Sequence, residues 1–400
     1  MKICIFLVVN IFALAISADV PAFSMPLKEA AARLDEMYKQ ATNTILQNLD
    51  VEEKAMRDRG EVANCTRSNI AIRMEFGSMK KEDRRAYTNA VLCLQSKKAI
   101  TPAVNTTGTK TRFDDFITTH IWQTPMHHAS GTFLGWHRYY IWVYEQSLRT
   151  ECGYEGPIPY WDWPKWAEAP QDSPLFNGDE YSMSGNGEFI PNRPAIISIP
   201  IPIPNTDRNL TADLEIGLGG GCVTSGPFKN MTVNLGPKAL GWSPAGPDGG
   251  LGYNPRCLKR DIGPAIAMKY TNYTVVLDSM NSTTIKDFQD GIGGRPIFGP
   301  HGGGHYTISG DPGQDFWVSP GDPAFYLHHG QIDRLWTLWQ ALDPQNRQYA
   351  LSGTNTMMDI PPSPNTTLDH TINVGYAGGK EVAMQDIMST TKGPFCYMYM

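Results

Sequence analysis

The chain has 400 residues, with 34 Lys and Arg against 40 Asp and Glu, for a formal net charge of -6 at pH 7. This mild balance, without any block of like charge, excludes the electrostatic footprint of a nucleic-acid partner. With 41% hydrophobic residues and no repeat or linker along its length, it reads as one large domain with a substantial core.

Residues 1–18 have the form of a secretory signal peptide. Lys2 supplies the positive start, Ile3 to Ile16 is almost wholly apolar, and Ser17 and Ala18 are small residues suited to cleavage. The run is short for a bilayer span and no other stretch is longer and as apolar, so no membrane association is expected. Residues 19–400 would then be a single secreted domain. Without Cys4, six cysteines remain: Cys65, Cys93, Cys152, Cys222, Cys257 and Cys396. An even number fits three disulfides in an oxidising compartment, with all fifteen pairings open. Seven N-x-S/T sequons, at Asn64, Asn105, Asn209, Asn230, Asn272, Asn281 and Asn365, fit a secreted glycoprotein.

In chain order, Pro26 to Leu49 predicts an amphipathic helix, with Leu27, Ala30, Ala31, Leu34, Met37, Ile45 and Leu46 near a helical period. A second helix is predicted from about Lys81 to Leu94. A third starts near Asp114, where Phe113, Phe116, Ile117 and His120 fall on one stripe. A fourth starts near His137, with Tyr140, Ile141, Tyr144 and Leu148 on its inner face. Residues Gly153 to Pro300 are dense in Pro and Gly, which predicts loops with at most short strands, wrapped over the helices under the cysteines. A fifth helix runs from Pro323 to about Ala341, with His329, Ile332, Trp336 and Trp339 inward. The fold class is mainly α, and three separate helices aim a histidine into the core.

The nine histidines are His120, His127, His128, His137, His301, His305, His328, His329 and His370, and eight of them form two compact groups. One histidine on an apolar face is ordinarily a satisfied core residue. Several crowded neutral imidazoles need a shared partner, because buried polar groups are costly without one. A metal ion is such a partner. Imidazole suits zinc, copper, iron and nickel. The H-E-x-x-H signature and the paired carboxylates of a di-iron bundle are absent, and two cysteine-free histidine groups point to a dinuclear copper site.

The local strings carry a resemblance. Residues 120–145 read HIWQTPMHHASGTFLGWHRYYIWVYE, and residues 301–336 contain HGGGH followed by DPAFYLHHGQIDRLW. Trp136-His137-Arg138 with a histidine nine positions earlier, and D-P-x-F-x-x-H-H-x-x-x-D-R-x-W over Asp322 to Trp336, closely resemble the tyrosinase and catechol oxidase family of type 3 copper proteins. The resemblance spans roughly residues 65–400 and is nearest to short ascomycete members.

It implies a central four-helix bundle holding two copper ions. By motif position, His120, His128 and His137 would bind the first ion and His301, His305 and His329 the second. His127 and His328 would be neighbours, and His370 peripheral. Phe325 would pack on the ligand rings. Asp333 would orient a ring or pair with an arginine, Arg73 being one partner. A side chain among Phe316 to Val318 would gate the coppers. The three glycines between His301 and His305 would leave open space beside the metal.

The implied activity is oxidation of o-diphenols, and of o-aminophenols, to o-quinones with O2. Hydroxylation of monophenols is associated in this family with an asparagine after the first ligand of the second triad, helped by a glutamate. Gly302 and Gln289 stand at those positions, which favours weak or no monophenol hydroxylation. Met126 stands where many fungal relatives carry a cysteine that crosslinks to the middle ligand of the first triad. Tyr397 to Tyr399 resembles the tyrosine pair closing the core domain, with no lid domain expected. Competing readings are a true tyrosinase, a haemocyanin-like O2 carrier and a metal-free structural glycoprotein.

Overall fold

The computed structural model describes residues 25–202, 209–240, 244–294 and 298–400; the expected signal at 1–18 lies outside the described residues. The helices used below are α1 (Leu27–Asp58), α2 (Lys81–Ser96), α3 (Arg112–His127), α4 (Phe133–Cys152), α5 (Pro264–Tyr270), α6 (Tyr273–Met280), α7 (Ile285–Gly293), α8 (Pro300–Ile308) and α9 (Phe325–Leu342). The chain is mainly α, as its periodicity predicts. The histidine-bearing helices α3, α4, α8 and α9 pack together at the centre, α9 against both α4 and α8.

Local chemistry sets the helix ends. Thr111 starts α3 through a capping box with Asp114, which satisfies two otherwise unpaired donors. Gly153 stops α4 in the left-handed conformation, at φ +66°. The first helix runs nine residues past its predicted end. That last stretch is polar, and the Glu53–Arg57 and Lys54–Asp58 pairs one turn apart support it where an apolar stripe is missing.

The segment before Pro300 contains three short helices that its Pro and Gly content obscured. Pro264 opens α5 at its first turn, and the side chains of Asn272 and Thr284 cap α6 and α7. The same segment forms a hairpin of residues 196–202 with 209–215. All sheets among the described residues are two-stranded.

The cysteines pair as Cys65–Cys396, Cys93–Cys152 and Cys222–Cys257. The first pins the C-terminal strand, where Tyr397–Tyr399 runs parallel to Ala71–Arg73. No helix among the described residues is long and apolar enough to cross a membrane. Of the sequon asparagines, Asn64, Asn105, Asn230, Asn281 and Asn365 are exposed. Asn272 is 1% exposed and its carbonyl caps α6, so the folded chain withholds it from a glycan.

Every residue of α9 from Phe325 to Ala341 is buried, so its polar groups need internal partners. Asp333 receives Arg138 Nε at 2.5 Å, Arg73 Nη1 at 3.4 Å, Tyr397 Oη at 2.7 Å and Tyr399 Oη at 2.6 Å. Arg73 is shared with Glu145, which accepts from its Nε and Nη2. The sequence-based alternative, in which Asp333 orients a histidine ring, gives way to this second role. The carboxylate is enclosed by two guanidiniums and two phenols. Replacing it as Asp333→Asn leaves two buried cations short of charge, with an expected loss of about 3–5 kcal/mol in denaturant unfolding. An unchanged unfolding midpoint would contradict this account.

Candidate metal centre

Seven histidines fall into two groups whose ring nitrogens lie within 4.8 Å of one another: His120, His128 and His137, and His301, His305, His328 and His329. The first group is built by α3, the turn after it, and α4. Phe133 starts α4 one turn before His137, and its carbonyl accepts from His137 Nδ1 at 2.8 Å. The Trp317 carbonyl accepts from His120 Nδ1 at 2.8 Å. Both contacts put the proton on Nδ1 and leave Nε2 with a free lone pair, a common way to aim an imidazole at a metal. Nε2 of His120 and of His137 is buried without a hydrogen-bond partner.

The second group sits on α8 and α9. His301 and His305 share one face of α8, with ring centroids 4.9 Å apart. His329 Nε2 lies 3.4 Å from His305 Nε2, and His301 Nε2 has no partner. The glycines of α8 do not leave open space. A Cβ at Gly304 would stand 2.2 Å from the His328 ring, one at Gly303 2.5 Å from Tyr270 Cβ, and one at Gly302 2.7 Å from the Phe298 ring. Glycine is needed because rings already fill that space.

The two groups touch. The His137 and His329 rings stack at 4.4 Å and 11°, and the His128 and His301 centroids are 6.3 Å apart. Phe325 packs on His329 at 4.2 Å and on His120 at 5.4 Å, as its motif position predicts. Phe133 was not singled out from sequence, although it lies one turn before His137. Its ring spans both groups, 4.8 Å from His137 and 4.9 Å from His301.

His127 points elsewhere, stacking on Trp136 at 4.9 Å with Nδ1 on the Thr132 hydroxyl. His370 belongs to neither group. His328, expected as a mere neighbour, does join the second group. It faces Trp163 and Trp161, whereas His329 faces the first group.

Burial holds these imidazoles neutral. It pulls His120 down to about 4 and His127 to about 3, and it depresses His128, His137, His328 and His329 well below the ordinary range. Neighbouring histidines lower all but His120 further. Neutral, buried, all-nitrogen donors with unused lone pairs fit two copper ions.

The profile for the common central domain of tyrosinase matches residues 110–342. The chain belongs to the tyrosinase family. The fold of that family implies a dinuclear copper site. Tyrosinase P of Aspergillus terreus is 41% identical over 335 residues, covering 82% of this chain and 91% of that protein. An N-acetyl-6-hydroxytryptophan oxidase of Emericella nidulans is 35% identical over 360 residues, covering 85% and 94%. A solved polyphenol oxidase from Thermothelomyces thermophila, a glycine-to-asparagine variant, is 46% identical with a TM-score of 0.86, over 94% of this chain and 99% of that one.

Against the tyrosinase-family pattern, Met126 is 43% exposed at the end of α3. All six described cysteines are in disulfides, so none of them is free to crosslink to His128. Gln289 is half-buried on α7, which packs against α8.

The depressed histidines set the acid behaviour of the metal-free protein. Above the ordinary pKa of about 6.5 neither folded nor unfolded histidines are charged. As pH falls, the unfolded chain takes up protons that the folded chain refuses, so stability drops from pH 6.5 toward the folded values near 4 and 3. Melting temperature in the presence of a chelator is expected to fall steeply over that window. A flat profile between pH 7 and 4 would show that these rings are not held neutral.

Proposed function

We propose that this chain is a secreted dicopper phenol oxidase that converts o-diphenols and o-aminophenols to o-quinones with O2, with weak or no hydroxylation of monophenols. The observation that carries the reading is the pair of touching histidine groups whose unused ring nitrogens converge. His120, His128 and His137 are assigned to one copper, and His301, His305 and His329 to the other. His329 is preferred to His328 because its ring stacks on His137 and lies between the groups. Three disulfides and fungal relatives support secretion.

When bound, copper supplies the dioxygen chemistry and accepts the electrons that the phenol gives up. The protein's part is placement. The Trp317 and Phe133 carbonyls fix the tautomers of His120 and His137. Phe325 and Phe133 wedge the rings apart from bulk water. Phe316 is the gate among the three residues left open by sequence. It is 40% exposed with its ring 4.7 Å from His128, whereas Val318 is fully buried and the Trp317 ring is held under the Lys238 ammonium at 4.6 Å. Asp315 holds this turn by accepting from the main-chain N–H groups of Lys238, Ala239 and Trp317.

The preference against monophenols rests on Gly302. An asparagine there would meet the half-buried Phe298 ring at 2.7 Å, which would have to move aside.

Metal analysis separates the histidines. The native protein is expected to bind two coppers, His137→Ala and His329→Gln one each with oxidation abolished, and His328→Gln two. Loss of a copper in the last variant but not in His329→Gln would reverse the assignment within the pair.

Oxygen consumption by copper-loaded protein with 4-tert-butylcatechol, o-aminophenol and tyrosine tests the activity. Fast turnover of the first two and little of the third is expected. Fast tyrosine oxidation would make it a true tyrosinase, and no turnover with two coppers bound would favour an O2 carrier.

A further inference from the structure

A file of aromatic rings leads away from the histidines through the bundle. Trp136 lies 4.8 Å from the His137 ring and stacks on Tyr140 at 4.7 Å and 17°. Tyr140 is parallel to Tyr326 at 6.2 Å and 14°. Tyr326 stacks on Tyr144 with centroids only 3.5 Å apart and planes at 8°. Tyr144 and Tyr87 meet through their hydroxyls. Tyr87 meets Tyr154 edge to face at 5.7 Å.

Tyr154 is in the wall of a cleft of about 580 Å³, with Ile72, Met74, Met79, Asp83 and Glu155 among the other lining residues. That volume suits a small aromatic molecule. The cleft is at the far end of α4, about 22 Å from His137 by helical rise over fifteen residues.

Packing alone does not account for the residue types. The hydroxyls of Tyr87, Tyr144 and Tyr326 are buried and find no well-aligned partner, meeting only other tyrosines of the file, Tyr87 with Tyr144 and Tyr326 with Tyr140. Phenylalanine would fill the same space without leaving a poorly satisfied hydroxyl in the core. What a phenol has and a phenyl ring lacks is ease of oxidation. Unsatisfied buried groups in a folded protein call for such a reason.

We propose that Trp136, Tyr140, Tyr326, Tyr144, Tyr87 and Tyr154 form a one-electron relay from the metal centre to the cleft, where a phenolic reductant binds. The relay rests on the phenol oxidase reading above. It acts when dioxygen is activated with no phenol in place, and it spares the histidines from oxidation. The electron passes inward along the rings and, with a proton from solvent, ends on dioxygen, the oxidant that the activity consumes; four such electrons and protons make two waters. Tyr140 keeps its phenolic proton directed at the Phe116 carbonyl, 2.8 Å away, and Tyr326 and Tyr144 have no base beside them, so the hole crosses as a radical cation shared over the stacked Tyr326–Tyr144 pair. Tyr154 alone of the file lines the cleft, where its hydroxyl donates to the Pro157 carbonyl at 2.8 Å; there its Oη–H proton is released to water in the cleft and a neutral phenoxyl radical remains. A diphenol in the cleft then gives Tyr154 a hydrogen atom and departs as its own phenoxyl radical.

The test traps the hole. Copper-loaded full-length protein is treated with hydrogen peroxide and a nitroso spin trap without phenol, then digested and mapped by mass spectrometry. An adduct at Tyr154 is expected, and it should be lost on adding catechol. It should also be lost in Tyr144→Phe, which removes one buried hydroxyl and keeps the ring, while copper content and initial catechol rate stay unchanged. Because the break leaves the hole no exit, Tyr144→Phe should also inactivate after fewer turnovers. An equal Tyr154 adduct in Tyr144→Phe would mean that a diffusing oxidant reaches it, and would overturn the relay. So would the absence of an adduct in native protein that holds two coppers and oxidises catechol. Failure to bind copper or to oxidise catechol would instead bring down the functional reading and the relay with it.

Discussion

The site depends on one buried carboxylate. Arg138 follows His137 on α4, and Asp333 lies one turn beyond His329 on α9, so the Arg138–Asp333 ion pair fixes the register of the two helices. With that register set, the His137 and His329 rings meet face to face. Arg73 and the two C-terminal tyrosines complete the enclosure, so the chain's early strand and its last residues hold the same carboxylate. A buried charge tolerates this only when each lone pair is met, and here four donors from three other segments meet them. A second buried pair works the same way at the start of α9. Arg260 holds Asp322 through two hydrogen bonds and donates to the carbonyls of residues 183–185, binding the loop-rich segment to the histidine helix.

Around that frame the interior is arranged to keep imidazoles neutral and aimed. Main-chain carbonyls from Phe133 and Trp317 take the Nδ1 protons, and aromatic rings exclude water from the other nitrogens. The cost is a cluster of polar atoms with nothing to bind within the protein. This cost is what a metal pair offsets, and it explains why the same burial that would destabilise a metal-free core at acid pH is useful to a copper enzyme. Three of the tyrosines that continue from this cluster, Tyr326, Tyr144 and Tyr87, also bury hydroxyls without a well-aligned partner.

Much of the helical frame was legible from periodicity. His120, His137 and His329 lead apolar stripes, and each proved to be an inward residue. Boundaries were less so: α1 is extended by ion pairs that leave no apolar pattern, and α4 begins a turn early, at Phe133, on the same stripe as His137. The helices α5 to α7 were missed because they are short and their caps, Asn272 and Thr284, read as ordinary loop residues. Asn272 also read as a sequon, and only its burial shows that its side chain is already committed.

By itself the sequence determined the donor types, the two histidine groups and the family, because ligand chemistry and motif spacing are properties of residues close along the chain. Tertiary structure alone decided what lies far apart: the pairing of the six cysteines, the partners of Asp333, the approach of His328 to the second group, and Phe316 as the exposed member of its turn. It also reversed the meaning of the glycines in α8. A run of glycines reads as space in sequence. Whether that space stays empty depends on which rings arrive from other helices, and here Tyr270, Phe298 and His328 fill it.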